Sequence, residues 1–374
     1  MEYRQSIVFF IHSLSGGGAE RICSLLANNF SERAYRVVVV TIKKPTSTDY
    51  FLAPGVNRIS LAADKKSDNV ISALKNNVVL VTKLRKVIID KKADYVISLM
   101  TQGNIVCSLA CINIKTFHIA SERNYPPMQD IGSLWNLLRK YSYLLPEVIV
   151  SQTHKTSKWM EDNTKCTKTA VIPNPVVYPL QPVQFQSQSD KDTPVVRGYN
   201  IVLGVGRLVD QKQFDSLIEA FSVIANEYPK WKLIIVGEGP NRKNLQQQIN
   251  SLSLQRRIQL VGKQANMEYW YRKAEIFVLT SKYEGYPNAL LEAMCHGVPP
   301  ISYRCDTGPE TIIEHGHNGL LVPVDDKKQL AASIRRLIDE PELKGKLGNN
   351  AREVIDSHSI DYVMTQWESL FYMS

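Results

Sequence analysis

The sequence predicts an α/β protein with two doubly wound parallel sheets. Runs of consecutive apolar residues, such as SIVFFIH and YRVVVVTI, alternate with amphipathic segments such as GAERICSLLANNF. Strands without polar alternation are typical of a sheet covered by helices on both faces, and the strand–helix order indicates parallel pairing. The same pattern begins again at NIVLGVGRL, and 374 residues exceed one average domain, so we expect two units.

Each half contributes a succession of strands joined by helices. Further strands are predicted at ADYVISLM, FHIASER, EVIVSQ, KLIIVGEG, IQLVGK, EIFVLTS and VPPISYR. We expect a first domain over residues 1–176 and a second over 200–357, joined by a linker at 177–199 that is rich in Pro, Gln and Ser. The last segment, 358–374, has helical spacing and is a candidate to return to the first domain.

Composition excludes several classes of protein. No run approaches eighteen apolar residues, and the apolar run near the start is too short and too poorly flanked for a signal peptide, so we expect neither a membrane span nor export. The six cysteines are scattered and form no CxxC pair, which indicates neither a zinc site nor a disulfide framework. A reducing cytoplasm fits this pattern.

The positive charge is confined to one half of the chain. Residues 1–199 hold 25 Lys and Arg against 15 Asp and Glu, whereas residues 200–374 hold 20 against 21. This asymmetry indicates a polyanionic or membrane partner for the first half. Nucleic acid is not favoured, because the sequence has no basic-aromatic recognition module and no zinc-finger spacing.

The segment EGYPNALLEAMCHG (284–297) combines two carboxylates with a predicted helix. Pro287 suits the first helical turn and Gly297 the end of the helix. The first N–H groups of a helix have no internal partner and the dipole is positive there, so this end attracts phosphate. Glu284 precedes the start, and Glu292 leans back toward it. This combination suits a nucleoside diphosphate sugar; an amphipathic core helix with two solvated glutamates is the alternative.

Two other segments carry groups that suit an anion. Gly16, Gly17 and Gly18 follow the first strand, where glycines let backbone N–H groups approach a phosphate; a flexible turn is the alternative. The spacing is not GxGxxG, so an NAD enzyme is not indicated. Arg207 and Lys212 follow the strand NIVLGV, where two cations would stabilise a diphosphate leaving group.

The motifs also succeed one another in a recognisable order. GGGAER, ASERN, VIPNP, GVGRLVDQK, VGEGP, LVGK, EGYPNALLEAMCHGVPPIS, TGPETI and NGLLV together resemble the family 4 glycosyltransferases over nearly the whole chain. The similarity is greatest to bacterial enzymes that extend lipid-linked or polysaccharide oligosaccharides. The resemblance implies the GT-B fold, in which two Rossmann-like domains face a central cleft, and a retaining mechanism.

The implied reaction moves a hexose or N-acetylhexosamine from a UDP-sugar to a hydroxyl of a glycan acceptor carried on undecaprenyl diphosphate. A sugar-nucleotide-binding protein of the same fold, or an epimerase without transferase activity, is the alternative. No carboxylate nucleophile is marked, so we expect front-face attack in which the donor diphosphate takes the acceptor proton.

The resemblance also implies roles for individual residues. Glu284 would contact hydroxyls of the donor sugar and Glu292 the ribose, while Arg207 and Lys212 would clamp the diphosphate. The loop from Val261 to Lys263 would receive the base. The remaining donor-binding positions implied are Gly16, Gly17, Gly18, Asn288, Ala289, Leu290, Gly262 and Lys263, with Pro287 lacking an N–H group.

One position departs from the family pattern. Many relatives carry a histidine after the strand that ends ASERN, where this chain has Arg123. We expect Arg123 to take that catalytic place, with Glu122 beside it. His118, five residues earlier, is the alternative, although a lone histidine on an apolar strand is more often packed.

No metal or other cofactor is expected. The DxD motif at Asp190–Asp192 lies in the predicted linker, and His315 and His317 belong to HGHNG, which has the composition of a turn. Two-domain transferases of the resembled type are not expected to need a DxD metal motif.

Two basic segments of the first half are candidates for contact with an anionic membrane. One has cations at helical spacing among Val and Leu: Lys75, Lys83, Arg85, Lys86, Lys91 and Lys92. In the other, Trp135 and Tyr143 are predicted interfacial anchors beside Arg139 and Lys140. We therefore predict a cytoplasmic protein bound peripherally to the inner face of the membrane; ordinary surface helices are the alternative.

Overall fold

The computed structural model describes residues 5–64, 70–180 and 198–372, with the backbone alone at 70–74. Most of the predicted linker, including Asp190–Asp192, lies outside the described residues.

The first half of the chain forms a parallel sheet with helices between its strands. Its strands are β1 (Ser6–Ile11), β2 (Arg36–Thr41), β3 (Val56–Ser60), β4 (Tyr95–Leu99), β5 (Phe117–Ser121), β6 (Val148–Ser151) and β7 (Thr169–Val171). Its helices are α1 (Gly18–Glu32), α2 (Val70–Asp90), α3 (Thr101–Cys111), α4 (Ser133–Ser142) and α5 (His154–Asn163). The strand order is β3-β2-β1-β4-β5-β6-β7, with parallel pairing throughout.

The second half repeats the scheme. Its strands are β8 (Asn200–Val205), β9 (Trp231–Val236), β10 (Ile258–Gly262), β11 (Ala274–Leu279), β12 (Pro300–Tyr303) and β13 (Leu320–Val322). Its helices are α6 (Phe214–Ile224), α7 (Arg242–Ser251), α8 (Met267–Lys273), α9 (Asn288–Cys295), α10 (Pro309–Ile312), α11 (Lys327–Asp339), α12 (Pro341–Ala351) and α13 (Val354–His358), followed by α14 (Ile360–Phe371). The strand order is β10-β9-β8-β11-β12-β13, again parallel.

The apolar runs are the central strands of both sheets. Every residue of β1 and β4 is buried, as is all of β2 except Arg36, which explains why these strands lack polar alternation. In both sheets the order reverses beside the first strand, between β1 and β4 and between β8 and β11. Loops at the carboxyl ends of such strands are the usual ligand sites of an open parallel sheet.

Residue contacts divide the chain into two compact units. The first unit holds Met1–Asn174 and Asp361–Ser374, and the second unit holds nearly all residues from Pro175 to Ile360. The C-terminal segment therefore belongs to the first unit, where Phe371 stacks on Tyr95 with ring centroids 3.9 Å apart. Among the described residues, none of the helices is both long enough and apolar enough to cross a bilayer.

Candidate active site

In the second unit, the loops after the neighbouring strands β8 and β11 are tied together by hydrogen bonds. The Lys282 N–H donates to the carbonyl of Gln211 at 2.8 Å, and the Gln211 side chain donates to the carbonyl of Tyr283 at 2.7 Å. The Thr280 hydroxyl donates to the carbonyl of Lys212 at 2.8 Å. The position of Lys212 is thus fixed relative to the loop that carries Glu284.

Lys212 and Glu284, which are 72 positions apart, form an ion pair. Their side chains are 17% and 9% exposed, so the pair is largely withdrawn from water. Ser281 donates a second hydrogen bond to the same carboxylate at 2.5 Å, and Thr307 donates to the backbone carbonyl of Glu284. The carboxylate is therefore held in place by partners from two loops. Ser281 and Thr307 were not singled out in the sequence, although Ser281 lies two residues after the end of β11.

Helix α9 follows Glu284 and begins one residue later than Pro287. Pro287 is the N-cap and Asn288 the first helical residue, because the proline has an extended ψ of 94°. At the other end Gly297 has φ +73°, and the next residue donates to Ala293, so the helix ends in a left-handed glycine as predicted. Gly308 packs closely against the start of α9, because a Cβ added at Gly308 would lie 2.7 Å from Pro287 Cδ.

Glu292 lies inside this helix and is only 5% exposed. The Tyr271 hydroxyl donates to its carboxylate at 2.9 Å. The ring of His296 stacks on Tyr271 with centroids 5.3 Å apart, and its Nε2 lies 2.5 Å from Glu268. Glu292 is therefore a positioned carboxylate and not a solvated one. Tyr271 is a second residue that the sequence did not mark.

The other predicted donor residues of this unit lie at strand ends. Arg207 follows β8, is exposed, and forms no ion pair with a residue that the structure describes. Gly262 ends β10 with φ +73°, and a Cβ there would lie 2.9 Å from the Glu238 carboxylate, so glycine is required. Lys263 is exposed beside it. A separate cavity of about 300 Å³ has a lining that includes none of the predicted site residues: Val209, Asp210, Gln213, Phe214, Asp215, Asn241, Asn244, Leu245 and Lys282.

In the first unit the triglycine loop follows β1. Gly16 has φ +76°, Gly17 is the N-cap of α1, and Gly18 is its first residue. The Glu20 carboxylate lies so close to Gly17 that a Cβ there would collide with it. The start of α1 is therefore approached by an acid from its own first turn, and a bound phosphate requires that side chain to move.

Two of the predicted site residues near the end of β5, Glu122 and His118, are packed in the first unit. The Glu122 carboxylate is fully buried and accepts hydrogen bonds from Thr101 at 2.9 Å and Tyr143 at 2.7 Å. Burial raises the pKa of Glu122 and lowers the pKa of His118 to about 3. The His118 Nε2 lies 2.8 Å from the Ser98 hydroxyl. These contacts leave neither side chain available to a donor substrate, and the role of Arg123 stays a prediction.

Arg123 itself is 8% exposed and directly follows this strand end. Its Nη1 donates to the Asn174 side chain at 3.0 Å. Its Nε and Nη2 have no hydrogen-bond partner in the described part of the chain. Asn174 belongs to the VIPNP motif, whose role the sequence did not reveal.

Of the two predicted membrane anchors near α4, Tyr143 is wrong, because its side chain is fully buried. Trp135 is partly buried and packs against the core of the first unit, while Arg139 is 5% exposed and stacks over Trp159 at 4.8 Å. The outward face carries other apolar residues, because the helix has apolar side chains on both faces. These exposed residues are Leu134, Leu137, Tyr141, Leu144 and Leu145.

On α2, two of the predicted membrane-facing cations bind the protein's own backbone. Lys83 donates to the carbonyl of Leu61 at 3.0 Å, and Arg85 donates to the carbonyl of Ala110 at the same distance. Lys75, Lys86 and Lys92 are exposed. Only some of the cations of α2 are thus available to contact an anionic membrane.

The sequence indicated no clustered thiols, whereas the structure brings Cys107, Cys111 and His118 together. Their potential ligand atoms lie within 4.8 Å of one another. The two cysteines are one helical turn apart and the histidine comes from the neighbouring strand, so spacing alone could not show the group. Burial raises the pKa of Cys107 well above its ordinary value, which favours a protonated, packed thiol.

The fold and the strand-end groups define a class of protein. Two parallel-sheet Rossmann-like units in tandem are the GT-B architecture, and solved GT-B structures superpose on nearly the whole chain. Sucrose-phosphate synthase from Thermosynechococcus elongatus is similar with a TM-score of 0.83 and 20% identity over 99% of each chain. HepE from Anabaena, solved in complex with UDP-glucose, has a TM-score of 0.79 and 18% identity, covering 99% of this chain and 100% of its own.

Sequence comparison gives a family match for part of the chain and relatives over nearly all of it. Residues 185–354 match the family model described as "Glycosyl transferases group 1". A Campylobacter jejuni α-1,4-N-acetyl-D-galactosaminyltransferase, whose named substrate is a GalNAc-containing oligosaccharide on undecaprenyl diphosphate, is 26% identical over 97% of both chains. The chain is a glycosyltransferase, and its residues 185–354 match the group 1 family model. The predicted GT-B fold and glycosyltransferase activity are confirmed, whereas retention and hexose specificity stay predictions.

Proposed function

We propose that this glycosyltransferase moves a hexose or N-acetylhexosamine from a UDP-sugar to a hydroxyl of a glycan acceptor on a lipid diphosphate. The observation that carries the donor assignment is the Lys212–Glu284 pair at the start of α9. It places a fixed cation and a fixed carboxylate beside a helix N-terminus, where a diphosphate and sugar hydroxyls each find a partner. The UDP complex of a similar GT-B protein and the lipid-linked substrate of the Campylobacter relative support the same reading.

Transfer proceeds in this proposal with retention of the anomeric configuration. Arg207 and Lys212 stabilise the diphosphate as its negative charge grows, and Glu284 orients the sugar. The donor phosphate oxygen takes the acceptor proton as the new bond forms on the same face. These two cations supply the charge that a metal ion would otherwise supply, so we expect turnover to persist in EDTA.

A donor panel tests this proposal. Purified enzyme is incubated with UDP-glucose, UDP-galactose, UDP-GlcNAc or UDP-GalNAc and a synthetic lipid-diphosphate glycan, and both UDP release and the anomeric proton of the product are measured. We expect one donor to give acceptor-dependent UDP release and an α-linked product from the α-linked donor. Release of no nucleotide with any of the four donors would refute the donor class, and a β-linked product would refute retention.

We further propose that the enzyme binds peripherally to an anionic membrane through the outward face of α4. Leu134, Leu137, Tyr141 and Leu144 recur at spacings of three and four, so they lie on one side of the helix and its continuation. Lys140 is exposed on this helix, and its carbonyl accepts the N–H of Lys165, which brings a second exposed lysine close to it. Apolar side chains bordered by cations suit the boundary between headgroups and acyl chains.

Liposome flotation tests the membrane assignment. Leu137→Glu places an acid within the apolar face and should reduce binding to vesicles containing anionic lipid by about tenfold or more. Val223→Glu is the matched control, because Val223 is similarly exposed but lies on α6 of the second unit. Equal binding by the two variants, or indifference of the wild type to lipid charge, would contradict the assignment.

A further inference from the structure

An unpaired buried cation in the first unit has chemistry that the proposed donor site does not use. Arg123 is the residue in question, and it lies at the carboxyl end of β5 with 8% of its surface exposed. Burying a cation is costly unless it is paired and hydrogen-bonded. The described residues around Arg123 supply one hydrogen bond, from Nη1 to Asn174, and no carboxylate partner.

The electrostatic surroundings give the guanidinium no counter-charge. Burial lowers the pKa of Arg123 to about 10, and Cys23 is the group that opposes this effect. Burial raises the pKa of the Cys23 thiol, which is therefore neutral near pH 7. The neighbouring Glu122 carboxylate is directed to Thr101 and Tyr143 instead. Arg123 is thus charged and desolvated, and no carboxylate of the described residues neutralises it.

The edge of the guanidinium that lacks hydrogen-bond partners is buried and has a defined shape. Nη1 is occupied by Asn174, and the two atoms without a described partner are Nε and Nη2. These two nitrogens share one edge of the guanidinium plane, and their N–H bonds run nearly parallel. That edge fits two oxygens of a single carboxylate or phosphate, which is the bidentate geometry that distinguishes arginine from lysine.

We propose that Arg123 is the receptor for an oxyanion carried by a substrate of this enzyme, bound side-on by Nε and Nη2. The inference rests on the proposed function for the identity of the substrate. The oxyanion has three possible sources with the same chemistry: the carboxylate of an acidic donor sugar, the donor diphosphate, or the diphosphate of the acceptor. A bound oxyanion would supply both the hydrogen bonds and the negative charge that the site lacks.

Equilibrium binding to the full-length protein separates these sources without requiring turnover. The probes are UDP-glucuronate, UDP-glucose, UDP and geranyl diphosphate, each titrated into the wild type, Arg123→Met and Arg123→Lys by calorimetry. Arg123→Met should weaken binding of the relevant probe about 10- to 100-fold. Arg123→Lys should recover only part of that affinity, because lysine keeps the charge but lacks the two parallel N–H donors of the guanidinium. A loss of affinity for UDP-glucuronate but not for UDP-glucose identifies the carboxylate of a donor sugar as the oxyanion. An equal loss of affinity for all three nucleotides identifies the donor diphosphate. A loss of affinity confined to geranyl diphosphate identifies the diphosphate of the acceptor.

Thermal unfolding of the ligand-free variants excludes a merely structural role. Because Arg123 is desolvated without a counter-ion, Arg123→Met should unfold at the wild-type temperature or above it. Arg139→Met is the matched control: Arg139 is equally buried in the same unit, but it stacks on Trp159 and bonds Asn136, so its loss should lower the unfolding temperature by several degrees. A comparable drop for Arg123→Met would show that Arg123 is structural and would overturn the inference.

The remaining outcomes separate the two proposals. If Arg123→Met and Arg123→Lys bind every probe as tightly as a wild type that does bind UDP-glucose, the oxyanion inference is wrong and the donor proposal stands. If the wild type binds geranyl diphosphate through Arg123 but no nucleotide, the inference stands and the donor proposal fails. A wild type that binds none of the probes contradicts both.

Discussion

The two units differ in how they treat the charges at their strand ends. In the second unit Lys212 and Glu284 neutralise each other before any ligand arrives, and Ser281 holds the acid in place. In the first unit Arg123 has no acidic partner among the described residues. A charge that is already paired is an orienting group whose position is set by the protein. A charge that is buried and has no described partner can be neutralised by an oxyanion of a ligand, so the strand ends of the two units offer a ligand different kinds of contact.

Breaking the pair in the second unit should have the largest effect. Glu284→Gln removes the carboxylate that orients the sugar and should lower kcat about 1000-fold. It also leaves Lys212 buried without its partner, so the free energy of unfolding should fall by about 3 kcal/mol. Steady-state kinetics and urea unfolding measure the two effects.

Lys212→Met provides the comparison for this prediction. The double variant Lys212→Met/Glu284→Gln removes both charges and should be more stable than Glu284→Gln alone, while remaining inactive. If the stability losses of the two single variants simply add, the ion pair does not couple these loops, and the contrast between the units would lose its basis.

Removing an unpaired but exposed cation should have a smaller effect. Arg207→Ala should lower kcat about 50-fold with a smaller change in KM, because the charge it stabilises develops mainly in the transition state. Its unfolding curve should match the wild type, since the side chain is exposed and forms no ion pair with a described residue. Unchanged turnover with a purified donor and acceptor would remove Arg207 from the diphosphate clamp.

The smallest effect concerns the pH dependence of stability in the first unit. Burial lowers the pKa of His118 to about 3, below the unfolded value of about 6.5. The unfolded chain therefore takes up a proton first as the pH falls. The contribution of neutral His118 to the free energy of unfolding is therefore complete above about pH 6.5 and decreases below it. The expected loss is about 2 kcal/mol between pH 8 and pH 5.

Urea unfolding at both pH values checks this dependence. His118→Gln should remove about 2 kcal/mol of this loss, whereas His154→Gln, which replaces an exposed histidine of the same unit, should leave the profile unchanged. A wild-type profile with no loss between pH 8 and pH 5 would show that His118 is not held neutral.

The sequence was sufficient for the fold because the central strands are buried on both faces. The runs in β1, β2 and β4 are continuous for that reason, and their alternation with helices defines the parallel order. The strands β3, β7 and β13 were not predicted. β3 and β7 are less buried and all three lie at the sheet edges, where short segments such as Thr169–Val171 give little hydrophobic signal.

The site was predictable in outline but not in its contacts. Glu284, Lys212 and Glu292 could be picked out because they flank a helix start or a strand end. The partners Ser281, Tyr271 and Asn174 could not, because hydrogen bonding depends on which loops meet. Burial was the larger source of error: Tyr143 was predicted as a membrane anchor and Glu122 as a donor contact, yet both side chains are fully buried in the first unit.

The return of α14 to the first unit has a consequence for biosynthesis. Phe371 packs on Tyr95, Phe30 and Tyr35, and Asp361 pairs with Arg33. These residues of the first unit therefore gain their contacts only after α14 has been synthesised. The unit made first by the ribosome is therefore the last to be completed. A nascent chain stalled before Ile360 should leave these aromatic rings uncovered and its N-terminal half sensitive to protease, and release of the final helix should abolish that sensitivity.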